Sequence, residues 1–406
     1  MARPKAIVIL GMTACLLGGA AVPAHLAYGR QAPALVWAQT YSASSTTDLS
    51  DRAVGVGLNE THAYAGGTKT TSASNSAFAV VQHVLGTGAI RSTASFPSTP
   101  GPYQATCMTS FTPLNGLNQP RYFYDGVANI RVYLAGFVQT SSLRYPMIAA
   151  FDIENDADSS NFGNLRLMWS WAPDENREDE VPVAITVTEN HLAMVCRLTT
   201  NSEGLNTTVR VLNAETGATV LGRRTYTSSG AADDVPIGVV IDNNFVIVGG
   251  NGSTGTQQAM MAFAYNISAY SGGTTIAAGT FHGASGPNTS PVFVSSGSGR
   301  SFVATCATSG ANSHANGNPA GNILAVAGRE WLTSNSSNGD WLVDAFVMVT
   351  ADNVTSVSPY WQSPSTGKSS SSFDDVPIAA CLTPIHPDAE PITEDLRLLV
   401  TGVRTP

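Results

Sequence analysis

The sequence predicts an all-β protein, and three observations support this fold class. Of its 406 residues, 43% are hydrophobic and 12% are charged, so the chain can fill a core, which excludes intrinsic disorder and a coiled coil. Its apolar runs are short, rich in Val, Ile, Thr and aromatic residues, and separated by Gly, Ser and Asn turns, as is typical of strands. No segment has a sustained helical period.

The amino-terminal segment is predicted to be a signal peptide over residues 1–29. Arg3 and Lys5 form a basic region, residues 6–17 are apolar, and small residues follow where a signal peptidase cuts. We therefore expect a mature domain over residues 31–406 in an exported protein, which is secreted, periplasmic or located at the cell surface.

Two other interpretations of this segment stay open. The first is an uncleaved anchor, although Gly and Pro crowd the residues that follow the apolar run. The second is a lipid anchor at Cys15, because residues 12–15 loosely resemble a lipoprotein box. No second apolar run of membrane length follows, so we expect no membrane span in the mature chain.

The net charge of −9 argues against a nucleic-acid partner, because phosphate binding needs a basic patch. We expect a protein or carbohydrate partner and a monomeric chain. The mature chain keeps four cysteines, Cys107, Cys196, Cys306 and Cys381. Export permits disulfides, but no CxxC spacing occurs and each cysteine lies in an apolar run, so we expect buried free thiols.

A repeated first strand organises the mature chain. Three copies share an acidic pair followed by Val-Pro and a small apolar strand, at residues 179–187, 233–241 and 374–382. Weaker copies lie at residues 51–58, 103–108 and 290–294. An alternative register makes residues 304–309 a first strand, because they echo residues 105–110. That register would shift the strands between residues 291 and 350 by one.

Three further strands follow each first strand. The second strand ends on Gly in most copies, with Cys196 and Cys306 in the Gly place of their copies, which suggests close backbone approach between neighbouring sheets. A third strand is visible in four copies, at residues 78–84, 147–153, 208–212 and 260–265. A fourth strand ends in an aromatic residue, for example Phe96, Trp169 or Tyr226.

The spacing of the repeats predicts a closed ring of sheets, which is a β-propeller. Equivalent first-strand positions are 52, 54 or 55 residues apart in three intervals, and 77 or 86 apart where loops are inserted. The two ends of the mature chain together supply one repeat, so we expect the terminal strands to share one blade and close the ring. This predicts a single propeller of six blades, with five to seven left open.

The pattern of an aromatic strand, an Asp, a small apolar strand and a Tyr/Val-rich strand that closes on Gly resembles secreted bacterial β-propeller repeat proteins of the SBBP type. The resemblance covers essentially residues 34–405 and is clear at 36–67 and 169–250. It departs from that family in its irregular insertions, its Pro-bearing first strands and its short final blade. It implies a propeller fold and an extracytoplasmic scaffold or binding role, and no catalytic residues.

Acidic residues before the first strands are the sharpest candidate site: Asp51, Asp179 with Glu180, Asp234 with Asp233, and Asp375 with Asp374. Because the loop into an innermost strand opens near the central channel of a propeller, Asp51, Asp179, Asp234 and Asp375 could hold Ca²⁺ on the axis. The favoured alternative is that each Asp accepts a hydrogen bond from local backbone at a turn. No other cofactor is predicted.

No catalytic motif is recognised. Residues 250–255 match GxGxxG, but a strand follows them, so a hairpin turn is the better interpretation. The seven histidines show no zinc spacing, and no GxSxG occurs. Seven Asn-x-Ser/Thr sequons occur, at Asn59, Asn206, Asn251, Asn266, Asn288, Asn335 and Asn353.

Two tryptophans are candidate ligand contacts. Trp331 and Trp341 flank a Ser/Asn-rich insertion, whereas Trp37, Trp169 and Trp361 lie on fourth strands and are expected to pack between blades. The sequence therefore favours an exported, non-enzymatic scaffold that binds a protein or a glycan. The alternative is a hydrolase or lyase that acts on an extracellular polysaccharide with carboxylates at the channel mouth.

Overall fold

The computed structural model describes residues 51–113, 129–140, 142–155, 158–173, 178–200, 204–226, 233–242, 244–253, 257–267, 292–294, 300–312, 321–332, 334–351, 354–363, 374–384 and 396–405. Over these residues the chain is all-β, which confirms the predicted fold class. This part of the chain contains no helix with the length and apolar character needed to cross a bilayer.

The described strands form five four-stranded sheets and one two-stranded sheet, all antiparallel and each following chain order. Sheet 1 is β1 Arg52–Leu58, β2 His62–Ser72, β3 Asn75–Val84 and β4 Ile90–Gly101; sheet 2 is β5 Tyr103–Phe111, β6 Arg131–Thr140, β7 Leu143–Ile153 and β8 Leu165–Trp171. Sheet 3 is β9 Asp179–Val187, β10 His191–Thr200, β11 Gly204–Asn213 and β12 Thr219–Tyr226; sheet 4 is β13 Val235–Asp242, β14 Phe245–Ser253, β15 Gln258–Asn266 and β16 Val292–Val294. Sheet 5 is β17 Arg300–Asn312, β18 Gly321–Leu332, β19 Asn335–Ala351 and β20 Val354–Ser363; sheet 6 is β21 Asp374–Pro384 and β22 Leu396–Thr405.

The chain divides into two compact units, Met1–Asp174 and Glu175–Pro406. In unit 1 the core lies between sheets 1 and 2 and includes Tyr64, Phe78 and Phe151, all fully buried. In unit 2 one core lies between sheets 3 and 4, a second between sheets 4 and 5, and a smaller one between sheets 5 and 6. Each core therefore forms where the apolar faces of two consecutive sheets meet.

Every sheet carries a β-bulge at the same place in its first strand. The residue before the bulge pairs with a small residue of the second strand, in the pairs Ala53–Gly67, Ala105–Gly136, Pro182–Cys196, Pro236–Gly250, Ala304–Gly328 and Pro377–Gly402. One residue per first strand is left out of the ladder, namely Val54, Thr106, Val183, Ile237, Thr305 and Ile378. The shared bulge shows that the six first strands are copies of one structural element.

The register predicted for residues 290–294 was wrong, and the alternative register was right. Val292–Val294 is the outer strand β16 of sheet 4, paired with β15, and residues 304–309 lie in β17, the first strand of sheet 5. Pro291 misled the assignment because it aligns with the Pro-bearing first strands, yet proline also suits the start of an edge strand. Cys306 therefore lies in a first strand, and Gly328 occupies the Gly place of its sheet.

The small residues that end the second strands lie close to the first strand of their own sheet. A Cβ on Gly67, Gly136 or Gly250 would overlap the carbonyl oxygen of Arg52, Gln104 or Val235 in the adjoining first strand. The expected close approach between neighbouring sheets was thus wrong for this position. It holds for the preceding residue: a Cβ on Gly249 would lie 2.6 Å from Val326 Cγ2 of the next sheet.

Candidate functional site

The two candidate tryptophans lie on one face of sheet 5. Trp341 on β19 pairs with Arg329 on β18, and Trp331 lies two residues beyond Arg329 on the same strand. Paired residues of an antiparallel ladder, and residues two apart on one strand, point to the same face. The structure therefore brings Trp331 and Trp341 together and adds Arg329, which sequence analysis missed. We call these three residues the aromatic face.

A cation–π contact joins two members of the aromatic face. The guanidinium carbon of Arg329 lies 4.8 Å from the centroid of the Trp331 ring, within the range of an energetically significant contact. Trp341 is on the neighbouring strand, diagonal to Trp331, at a position where large side chains still reach each other. The two indoles and the guanidinium thus lie on the same face of two adjacent strands.

The aromatic face is open to solvent. Trp331, Trp341 and Arg329 are each partly exposed, and Val303, which pairs with Arg329 on β17, is 42% exposed. The Nε1 donor of Trp341 is an exception: it is buried, and it has no hydrogen-bond partner within the described part of the chain.

Local sequence explains why the aromatic face is uncovered. Trp331 pairs with Gly339, which has no side chain to cover the indole, and the register shift between Trp331 and Leu332 places residues 336–338 outside the ladder. Further along the same face, Cys306, Ala327 and Val343 are buried against sheet 6. The face is therefore packed at one end and exposed at the other.

The acidic residues before the first strands have local partners where the structure describes them. Asp51 Oδ1 accepts a hydrogen bond from the Thr70 amide at 2.8 Å, and Asp233 Oδ1 accepts one from the Leu205 amide at 2.9 Å. These bonds tie the entry into a first strand to a neighbouring strand. Asp179 is paired with Thr199 at the start of the β9–β10 ladder.

Asp234 is fully buried in unit 2. Its backbone amide donates to the Leu205 carbonyl at 2.7 Å, and its carbonyl accepts from Thr207 Oγ1 at 3.2 Å. Burial raises the pKa of the Tyr226 hydroxyl, and the negative charge of Asp234 raises it further. Asp234 thus faces the packed interior rather than solvent.

Asp375 pairs with Arg404 on β22, and its side chain lies outside the described residues. Within the described ranges, no three His, Cys, Asp or Glu side chains are placed to hold a metal ion together. The Ca²⁺ site of Asp51, Asp179, Asp234 and Asp375 stays a prediction.

Sheet 3 contains a buried ion pair that the sequence analysis did not predict. Arg210 Nη2 lies 3.0 Å from Glu180 Oε2, and both side chains are 3% exposed. Thr208 also donates to Glu180. Because a buried charge without a partner is costly, this cluster fixes the start of β9 against β11. The only sequence signal was Glu180 itself, beside Asp179.

A polar network links sheets 1 and 2 in unit 1. Asn59 Nδ2 donates to the Tyr64 hydroxyl at 3.0 Å, Ser92 Oγ donates to Gln82 Oε1 at 2.6 Å, and the Leu165 amide donates to Ser92 Oγ at 3.1 Å. Burial raises the pKa of Tyr64, so its hydroxyl stays protonated and is no general base at neutral pH. The network therefore holds sheets 1 and 2 together and has a structural role.

The prediction that the cysteines are buried and outside disulfides is confirmed for Cys196 and Cys306. Cys107 also forms no disulfide but is only partly buried, and the side chain of Cys381 lies outside the described residues. The sequons divide by burial: Asn206, Asn251 and Asn266 are at most 5% exposed, so these amides face the interior.

Comparison with protein-family models gives no match, and comparison with curated proteins gives none. Among solved structures, the chain is similar to the crystal structure of alpha-L-arabinofuranosidase from Lactobacillus brevis, with 10% sequence identity and a TM-score of 0.31. The match covers 75% of this chain and 91% of that chain.

Proposed function

We propose that this chain is an exported, non-enzymatic β-propeller that binds a carbohydrate through the aromatic face. The observation that carries the proposal is the grouping of Arg329, Trp331 and Trp341 on adjacent strands, on one face of sheet 5 and partly exposed.

Carbohydrate fits the chemistry of this face better than an extended protein surface does. A sugar ring has an apolar side of C–H groups, which packs on an indole, and a rim of hydroxyls, which accept hydrogen bonds. The guanidinium of Arg329 supplies donors beside the Trp331 ring. Rigid aromatic side chains also lose little conformational entropy when they bind.

The propeller itself is part of the proposal. Five described sheets have four strands, and sheet 6 has two, so the strand expected at residues 35–41 would extend sheet 6 and close the ring. That strand and the signal peptide over residues 1–29 lie outside the described residues. Closure is supported by the cost of leaving strand edges unpaired.

The proposal of a non-enzymatic protein is supported by the hydrogen bonds and the burial of the acidic residues. Asp51 and Asp233 bond to backbone amides, and Asp234 is fully buried, so each has a structural role. A glycoside hydrolase needs two carboxyl groups that flank a scissile bond. A polysaccharide hydrolase or lyase is the competing function that the experiment below separates.

The proposal is tested by binding and hydrolysis on a panel of soluble polysaccharides. The full mature chain, Trp331→Ala and Trp341→Ala are compared by calorimetry, with Trp171→Ala as the matched control, since Trp171 is a partly exposed indole on sheet 2. We expect wild type and control to bind at least one polysaccharide, and each aromatic-face variant to bind at least tenfold more weakly, about 1.4 kcal/mol.

Three results would contradict the proposal. Equal binding by wild type and both aromatic-face variants would place the ligand elsewhere. Turnover of a polysaccharide that Asp234→Asn abolishes, without a change in the melting temperature, would establish the enzymatic alternative. Binding to proteins with no binding to any polysaccharide would replace the carbohydrate with a protein partner.

A further inference from the structure

Asp344 is a carboxyl group inside an apolar core of unit 2. It lies in the middle of β19 and is fully buried. Its neighbours on the same face, Leu342 and Phe346, belong to the core between sheets 4 and 5, and so does Val326, which pairs with Asp344 across the ladder. A carboxylate in such surroundings has lost its hydration.

The carboxyl group has little hydrogen bonding to replace that water. Oδ1 accepts from the Ala345 amide at 2.7 Å, and Oδ2 has no hydrogen-bond partner among the residues that the structure describes. Other buried acids of the chain are better provided: Asp152 lies 3.7 Å from Arg131, and Glu180 pairs with Arg210.

The charged groups on the surrounding strands do not neutralise Asp344. On β18, Glu330 is four residues beyond Val326 on the same face, and it is paired at 3.5 Å with Arg300 of β17. On β13, Asp242 accepts a hydrogen bond from the Asn322 amide at 3.1 Å.

The residues described on the remaining strands of this core are apolar or uncharged. From β14 and β15 the core receives Ile247, Met260, Ala262 and Ala264, all apolar. Gln362, which pairs with Asp344 on β20, is uncharged. Glu330 of β18 and Asp242 of β13 are acidic, and the cation Arg300 is already paired with Glu330.

We propose that Asp344 is a pH-sensitive switch in the packing of sheets 4 and 5: the core closes around the neutral acid and loosens when the acid ionises. The inference is independent of the carbohydrate site. An ionised carboxylate regains water only if sheets 4 and 5 separate locally around it.

The direction of the pH dependence follows from burial. Desolvation raises the pKa of Asp344 from 3.8 to about 7. A raised folded-state pKa means that, between about pH 4 and 7, the folded chain holds a proton that the unfolded chain has released. The contribution of protonated Asp344 to the free energy of unfolding is therefore fully present below about pH 4 and is lost as the pH rises through 7. One proton changes the unfolding equilibrium at most tenfold per pH unit.

The test compares urea unfolding of the full chain from pH 4.5 to 8.5 in wild type, Asp344→Asn and Glu178→Gln. Asp344→Asn keeps the size of the side chain and the acceptor for Ala345 but cannot ionise. Glu178→Gln removes the same charge from an exposed acid of unit 2 that pairs with Arg223. Burial also raises the pKa of Asp152 and Asp242, so the comparison between variants, and not the wild-type slope, isolates Asp344.

Between pH 4.5 and 7, we expect the unfolding equilibrium constant of wild type and of Glu178→Gln to increase with pH more steeply than that of Asp344→Asn. The difference should reach up to tenfold per pH unit. Hydrogen exchange, corrected for intrinsic rates, should show faster opening of residues 342–346 at pH 8 than at pH 6 in wild type and Glu178→Gln, but not in Asp344→Asn. Equal pH profiles for wild type and Asp344→Asn would overturn the proposal. If Asp344→Asn does not fold, Asp344→Leu replaces it, and pH-independent exchange of residues 342–346 in wild type would overturn the proposal by itself.

Discussion

Thr68 on β2 accepts a hydrogen bond from the backbone amide of Ala105 on β5, with 2.9 Å between Oγ1 and N. Asn251 on β14 does the same for the amide of Ala304 on β17, at 3.4 Å. In both cases the acceptor follows the Gly place of one sheet, and the donor precedes the bulge of the next. In these two first strands, a side chain of the preceding sheet therefore satisfies the amide of the residue before the bulge.

Thr68→Val removes the acceptor and preserves the shape of the side chain. Leaving the Ala105 amide unsatisfied should reduce the free energy of unfolding by about 1–3 kcal/mol, measured by urea denaturation. Thr71→Val is the control, since Thr71 is exposed on the same strand. A loss no larger than that of the control would show that water replaces Thr68 at no cost.

The same amide explains the Pro-bearing first strands. Pro182, Pro236 and Pro377 occupy the position of Ala105 and Ala304, and proline has no N–H to satisfy. Sequence analysis found these copies because Val-Pro after an acidic pair is a conspicuous pattern. It treated the prolines as a departure from the resembling family, whereas they remove a donor that would otherwise need a partner.

Gly250→Ala tests the close approach between the first two strands of sheet 4. The added methyl group would overlap the Val235 carbonyl oxygen, so the ladder must shift, and we expect a loss of about 1–3 kcal/mol in the free energy of unfolding. Gly222→Ala in β12 is the matched control, because its Cβ would meet nothing within 4 Å. Equal stability of the two variants would contradict this account of the Gly place.

The fold class and the first strands could be predicted from the sequence because strand composition and the Val-Pro pattern are local signals. The register around Val292–Val294 could not, since a three-residue edge strand after a proline looks like the start of a first strand. Trp331 and Trp341 could be named because exposed aromatics beside a polar insertion are unusual.

Arg329 and Asp344 carry no comparable signal. Each is a single charged residue in a strand, and its meaning depends on which residue it faces: an indole for Arg329 and a valine for Asp344. Which residues pair across a ladder depends on the register of the strands. The register depends in turn on β-bulges, whose positions are not evident from the sequence.

The thiols are predicted to resist alkylation in the folded chain. Desolvation around the sulfur raises the pKa of Cys107 to about 12, and burial also raises that of Cys306, so at pH 8 both are almost entirely in the unreactive thiol form. Under denaturing, non-reducing conditions a thiol-reactive label should modify all four mature cysteines, and mass spectrometry counts them. Two missing labels after denaturation would show a disulfide and contradict the free-thiol prediction.

Ring closure is predicted to depend on the amino-terminal strand at residues 35–41. Within the described residues, β22 pairs only with β21, so sheet 6 has half the strands of sheets 1 to 5. Deleting residues 31–44 from the mature chain should therefore expose a strand edge, with unpaired N–H and C=O groups that favour aggregation. Each blade of a propeller buries its faces against two neighbours, so we expect the free energy of unfolding of the whole domain to fall by several kcal/mol. The loss of apolar burial alone contributes about 25 cal/mol per Å² exposed.

Deleting residues 31–33 is the control, since it removes chain but no predicted strand. The melting temperature and light scattering of both deletions distinguish the outcomes: a long deletion as stable and as monomeric as the short one would leave the ring unclosed by the amino terminus, and the six-blade count would fail with it.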